Sequence, residues 1–203
     1  MNPATAGGIE LDEAELLHLA LHAMGSNHHE ESMRLLKRTL HAFPESARAR
    51  YLLGAEHAQI GLYDRAVAEM TEAVRLDPNF TVAHFQLGLL HITAGRVPEA
   101  RAAWLPLDRL APQDPLRLFK SALLHLVRDE FAACIENLQA GIARNHVNKP
   151  LNDDMRRLLA DVQNRHTGPA APNADPPPLQ RLSPTKHSLL STYDRNRNDT
   201  STD

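Results

Sequence analysis

Histidine is the residue type with most chemistry to offer in this chain, at 12 of 203 positions. His18 and His22 are four apart, which sets both rings on one face of a helix, and Glu15 stands a turn earlier. Donors at that spacing can bind zinc, but a closed site wants a fourth ligand. An exposed polar edge of a helix explains the trio as well. His57, His91 and His125 recur every 34 residues. Neighbouring helices stand about 8–10 Å apart, whereas zinc-bound nitrogens lie about 2.0–2.1 Å from the ion. That ladder cannot share a metal, and each ring is expected half-buried with one nitrogen hydrogen-bonded. Catalysis finds no support: there is no Gly-rich phosphate loop, no nucleophile motif and no repeated carboxylate pair on one face. Cys134 is the single cysteine, so neither an intramolecular disulfide nor a Cys-based zinc site can form. Neither metal, cofactor nor enzymatic activity is expected.

The histidine interval belongs to a larger repeat. Arg50 to Gly54 returns as His84 to Gly88, Gly61 to Ala66 as Gly95 to Ala100, and Leu76 to Pro78 as Leu110 to Pro112, each offset by 34 residues. That is the period of a helical hairpin repeat. Carrying the register outward relates Ala20 to Gly54, Ser32 to Ala66 and Pro44 to Pro78, and forward gives Ala122 and Cys134. Four hairpins follow, near 13–46, 47–80, 81–114 and 115–148.

The columns have physical reasons. Ala20, Gly54, Gly88 and Ala122 are small, as are Ser32, Ala66, Ala100 and Cys134, so paired helix axes can approach closely. Asn27, Gly61, Gly95 and Asp129 fall at the turn inside each hairpin and are types that tolerate a left-handed backbone. Leu19, Leu53 and Leu87 are expected between the helices, with Leu36, Met70, Trp104 and Leu138. Pro106 lies inside the second helix of the third hairpin, where it removes a helical bond and clashes with the preceding turn, at about 3 kcal/mol. A kink or break is expected near Leu105, with looser spacing around Leu107.

After a break at Asn148-Lys-Pro150, Asn152 to Asp154 is expected to cap an amphipathic helix over 151–165 that covers the last hairpin. Residues 1–10 read as a frayed terminus. Residues 166–203 carry six prolines among Ser, Thr, Asn and Asp and read as a Pro-rich disordered tail. Leu189, Leu190 and Tyr193 offer that tail something to bury. Pro176-Pro-Pro178 and Ser183-Pro184 are short patterns for polyproline docking and phosphorylation.

Over 13–148 these residues resemble tetratricopeptide repeats, most specifically through Leu53-Gly54, Gly61, Tyr63, Ala66, Ala73 and Pro78, then Leu87-Gly88, Gly95, Ala100 and Pro112. The resemblance implies an all-α fold, a right-handed superhelix of helical hairpins, here with a C-terminal capping helix. It implies a concave wall made by the first helix of each pair. On this chain the wall would carry Tyr51, Phe85 and Phe119, then Ala55, Leu89 and Leu123, then Ile92 and Leu126, with Arg48, Gln86 and Lys120 as its polar groups. Members that clamp a charged C-terminus carry Asn or basic residues where Ala55, Leu89 and Leu123 stand. A hydrophobic or amphipathic segment of a partner protein is therefore the expected occupant. The same face could be core, or be filled by the chain's own tail or a second copy.

The formal net charge of −3 gives no footprint for nucleic acid. No window approaches the ~20 apolar residues of a membrane span. With no leader read at Met1 to Leu11, the expected location is the cytoplasm. The expected work is that of an adaptor or assembly factor. A chaperone holding one secreted substrate, or the regulatory subunit of an enzyme, are the alternatives.

Overall fold

The computed structural model describes residues 11–167. The expectations for 1–10 and for the Pro-rich tail, including Pro176–Pro178, Ser183, Leu189, Leu190 and Tyr193, lie outside the described residues. Within them the chain is helical and contains no strand.

Helix α1 (Glu13–Gly25) pairs with α2 (His29–Ala42), α3 (Ala47–Gln59) with α4 (Tyr63–Leu76), and α5 (Thr81–Thr93) with α6 (Val97–Trp104). Then α7 (Pro115–Leu126) pairs with α8 (Phe131–Arg144), and α9 (Lys149–Thr167) follows. Each first helix packs most extensively on the second helix of its own hairpin, and α2 and α4 also pack on the hairpin that follows.

Local chemistry sets the ends. Asp12 accepts from the Glu15 amide at 2.8 Å while the Glu15 carboxylate accepts from the Asp12 amide at 2.9 Å, a reciprocal capping box. Ser46 and Asp114 cap α3 and α7 with side-chain oxygens that accept from the Ala49 amide at 3.0 Å and the Leu116 amide at 2.8 Å. All four hairpin turns adopt positive φ: Asn27 at 61°, Gly61 at 77°, Gly95 at 74° and Asp129 at 57°. Asn and Asp hold the left-handed conformation at some cost that glycine avoids.

Two expectations need correction. Leu19 is exposed, unlike Leu53 and Leu87. Leu53 lines a cleft with Leu40 and Lys37 of the preceding hairpin, and α1 has no preceding hairpin to meet Leu19. The cap of α9 lies earlier than Asn152: Asn148 Oδ1 accepts from the Leu151 amide at 2.9 Å, and the helix runs on through Thr167. Asn152 is instead a buried helical residue whose Nδ2 donates to the Asn145 carbonyl at 2.7 Å. Leu107 itself is fully buried.

Proline 106 does break its helix. The α-helix stops at Trp104, and Leu105–Arg109 continues as a 3-10 turn. Tightening the backbone there removes the need for the bond that proline cannot donate. It also turns Leu107 inward and leaves Leu105 exposed.

Candidate functional site

The first helices α3, α5 and α7 each carry a stripe at spacings of three and four residues. The stripes are Arg48, Tyr51, Ala55 and Ala58; Val82, Phe85, Leu89 and Ile92; and Leu116, Phe119, Leu123 and Leu126. Such spacing sets each group on one helical face. Phe85 meets Phe119 across the first column with ring centroids 6.5 Å apart, and Tyr51 meets Phe80, the residue before α5, at 5.0 Å. Phe85 also stacks on Trp104 at 6.2 Å.

Spacing sets the expected wall residues on one face of each helix, and most of them are sealed from water. Tyr51, Ala55, Phe85, Leu89, Ile92, Phe119, Leu123 and Leu126 are all buried, none more than 5% exposed. The polar groups differ from one another. Arg48 is half-exposed. Gln86 is buried and its Oε1 has no hydrogen-bond partner. Lys120 is buried and its ammonium pairs with Asp108 on the 3-10 turn. Gln86 and Lys120 are therefore not ordinary solvated surface: the break at Pro106 delivers Asp108 to Lys120, and Gln86 is enclosed by its apolar helix.

The histidine ladder is less uniform than its spacing. His125 Nδ1 bonds the Glu130 carboxylate. His57 and His91 each have a buried Nδ1 with no partner. Burial is the largest influence on both and pushes their pKa down; Arg65 and Lys37 add to it at His57 and Arg96 at His91, while Glu69 and Glu56 oppose it at His57 and Glu99 at His91. At His57 and His91 it is thus Nε2, and not Nδ1, that is left to make the one expected hydrogen bond. His18 and His22 are exposed, and Glu15 already accepts from the Asp12 amide. Among the described residues no group of three metal-ligating side chains comes together. Cys134 is fully buried in its small column, and burial pushes its thiol up to about 11, which removes the thiolate that reactivity needs.

One polar cluster escaped the sequence reading. Glu56 is completely buried in α3; its Oε1 accepts from Ser32 Oγ at 2.7 Å and lies 2.6 Å from His29 Nδ1. The His29 carbonyl, 2.9 Å from the same Ser32 Oγ, is the alternative acceptor for that one hydroxyl hydrogen. The serine bonds the carboxylate and not the imidazole, so this is a strut between α2 and α3 and not a nucleophile arrangement. The signal was present: Ser32 is the polar member of a small column, and Glu56 stands where later copies have Leu90 and Leu124.

Among the described residues no helix is long and apolar enough to cross a membrane. Comparison with known proteins adds the following. A family model described as Tetratricopeptide repeat matches residues 17–79 and 56–115. No curated protein matches. A solved chain described as "MamA RS-1 ArsTM double mutant" is similar with a TM-score of 0.54 and 17% identity, covering 93% of this chain and 98% of that one. At that identity the likeness speaks for the fold alone.

Proposed function

The chain is a tetratricopeptide-repeat protein, and from that premise we propose that it works as a non-enzymatic scaffold, taking an apolar or amphipathic segment of a partner protein along the wall of α3, α5 and α7. The observation that carries this reading is the unbroken apolar stripe shared by three successive first helices, Tyr51-Ala55, Phe85-Leu89-Ile92 and Phe119-Leu123-Leu126. A repeat scaffold has little chemistry of its own, so its function resides in the surface that its repeats line up.

The chemistry of the stripe favours a particular ligand. Its middle column, Ala55, Leu89 and Leu123, has no group to hold a carboxylate. Lys120, the buried cation nearby, is already neutralised by Asp108. An apolar anchor contributes roughly 1.5–3 kcal/mol when buried. Two or three anchors reach the micromolar range once ordering costs are met.

The test is a matched pair of substitutions, Leu89→Asp and Leu123→Asp, with affinity for an amphipathic peptide selected on the protein measured beside helicity and thermal melting. Loss of binding with folding intact supports the reading. Unfolding by both changes would mean that the wall is only core.

A further inference from the structure

A cleft of about 610 Å³ lies between α2, α3 and α4, and the groove reading does not use it. Each of the three helices brings to it a cation and, three residues on, an apolar side chain: Lys37 and Leu40, Arg50 and Leu53, Arg65 and Ala68. That interval sets both members of each pair on one helical face. At about 3.6 residues per turn, Arg50, Leu53 and His57 fall on the far side of α3 from Tyr51, Ala55 and Ala58. The cleft is therefore separate from the wall.

Its charge is unbalanced. Glu69 is the single carboxylate of the lining, and its Oε2 already accepts from Arg50 Nη1 at 2.8 Å. No carboxylate of the lining is left for Lys37 or Arg65. Two buried polar atoms there also lack partners. His57 lines the cleft at 5% exposure with its Nδ1 unbonded, and the Nε of Arg50 is unbonded too. Burial chiefly lowers the pKa of His57; Arg65 and Lys37 lower it further, and Glu69 and Glu56 oppose them. Both rim cations thus reach this ring electrostatically.

The repeat itself does not require these charges. One period on, Thr71 stands for Lys37, His84 for Arg50 and Glu99 for Arg65. The His84 ring lies 2.9 Å from the Ala103 carbonyl and 3.1 Å from the Pro78 carbonyl. The same position is held by backbone in one copy and cationic in the other.

We propose that this cleft binds a phosphate monoester carried on an apolar body, the phosphate meeting Lys37, Arg50 and Arg65 and the body lying over Leu40, Leu53 and Ala68. Three cations against Glu69 leave an excess of two positive charges. A phosphate monoester carries about −1.5 to −2 at neutral pH, whereas one carboxylate neutralises only half of that excess. Guanidinium groups also suit phosphate by donating two parallel hydrogen bonds. The apolar member of each pair gives the ligand's body a floor.

The test titrates the full chain with phenyl phosphate at low salt, beside inorganic phosphate and phenylacetate, by calorimetry and by NMR of the His57 ring. One phenyl phosphate per chain is expected, bound several-fold more tightly than either comparison. The His57 pKa should rise as the dianion offsets Lys37 and Arg65. Arg65→Glu and Lys37→Glu, both at exposed positions, should each weaken binding about tenfold. Arg101→Glu, the same change of charge at an exposed position of α6, should not. Absence of binding would overturn the inference, and so would equal weakening by all three variants, the mark of diffuse attraction. Phenylacetate binding as tightly as phenyl phosphate overturns it because the phosphate is then not recognised. Inorganic phosphate binding as tightly overturns it because the floor is then unused. A phosphotyrosine peptide separates the two sources of such a monoester. Tighter binding than phenyl phosphate upholds the site with a phosphorylated protein as ligand, and equal or weaker binding upholds it with a free organic phosphate. The inner wall takes no part in any of these outcomes, so the partner-segment reading stands or falls separately.

Discussion

Trp104 lies directly over Gly88. Its indole Nε1 donates to the Phe85 carbonyl at 2.9 Å, and a Cβ placed on Gly88 would stand 2.0 Å from that nitrogen. The small column is thus a seat for the largest side chain of the core. Gly88→Ala must evict the indole and its hydrogen bond, and we expect a loss of about 2–4 kcal/mol. At Gly54 the nearest atom is Met70 Cγ, at 2.8 Å from the added Cβ, the flexible part of a side chain. Gly54→Ala also gains helix propensity and should cost only about 0–1.5 kcal/mol. Urea denaturation of the two variants side by side checks the difference.

Glu56 and His29 should behave as a coupled pair. Removing the ring with His29→Ala leaves a buried carboxylate with Ser32 alone, at a cost of about 1–3 kcal/mol. In a Glu56→Gln background the same change should cost much less, since no charge is then stranded. A double-mutant cycle by chemical denaturation measures the coupling. Equal costs in both backgrounds would remove the strut.

Acid should weaken the fold through His57 and His91. Both have pKa values pushed down in the folded state, chiefly by burial, from an ordinary 6.5. Above 6.5 the rings are neutral in folded and unfolded chains alike, and the full stability is present. As pH falls below 6.5 the unfolded chain takes up protons first, so stability declines until the lowered folded values are passed. His57→Gln/His91→Gln should show a shallower decline than the parent between about pH 7 and about pH 5, read from denaturation midpoints.

The turns offer a test of opposite sign. Gly95 has φ 74° with no atom near its missing Cβ, so Gly95→Ala meets backbone strain alone and should cost about 1–2 kcal/mol. Asp129 bears that strain already at φ 57°, and Asp129→Gly should be neutral or stabilising by up to about 1 kcal/mol. Thermal melting distinguishes the two.

What the sequence made legible follows from what repetition can report. A 34-residue interval exposes columns, so the small seats at Gly54 and Gly88, the turn positions and the break at Pro106 could be read directly. Features confined to one copy could not. Glu56 and Ser32 interact through a pairing that no other hairpin repeats, and Lys120 meets Asp108 because Pro106 redirects one segment. Leu19 misleads for the reverse reason: its column implies a neighbour that the first hairpin lacks. The cap of α9 was misplaced because three Asn-containing positions, Asn145, Asn148 and Asn152, form one hydrogen-bonded cluster, and spacing alone does not rank them.

The central claim is that the stripe from Tyr51 to Leu126 receives polypeptide. Fluorescence anisotropy of an amphipathic peptide selected from a displayed library tests it most directly, read on the parent, on Leu89→Asp and on Leu123→Asp. The account predicts measurable binding to the parent and loss of binding when the folded wall variants carry a charge. Selected peptides that bind all three proteins equally would contradict it, because their site would then lie away from this wall.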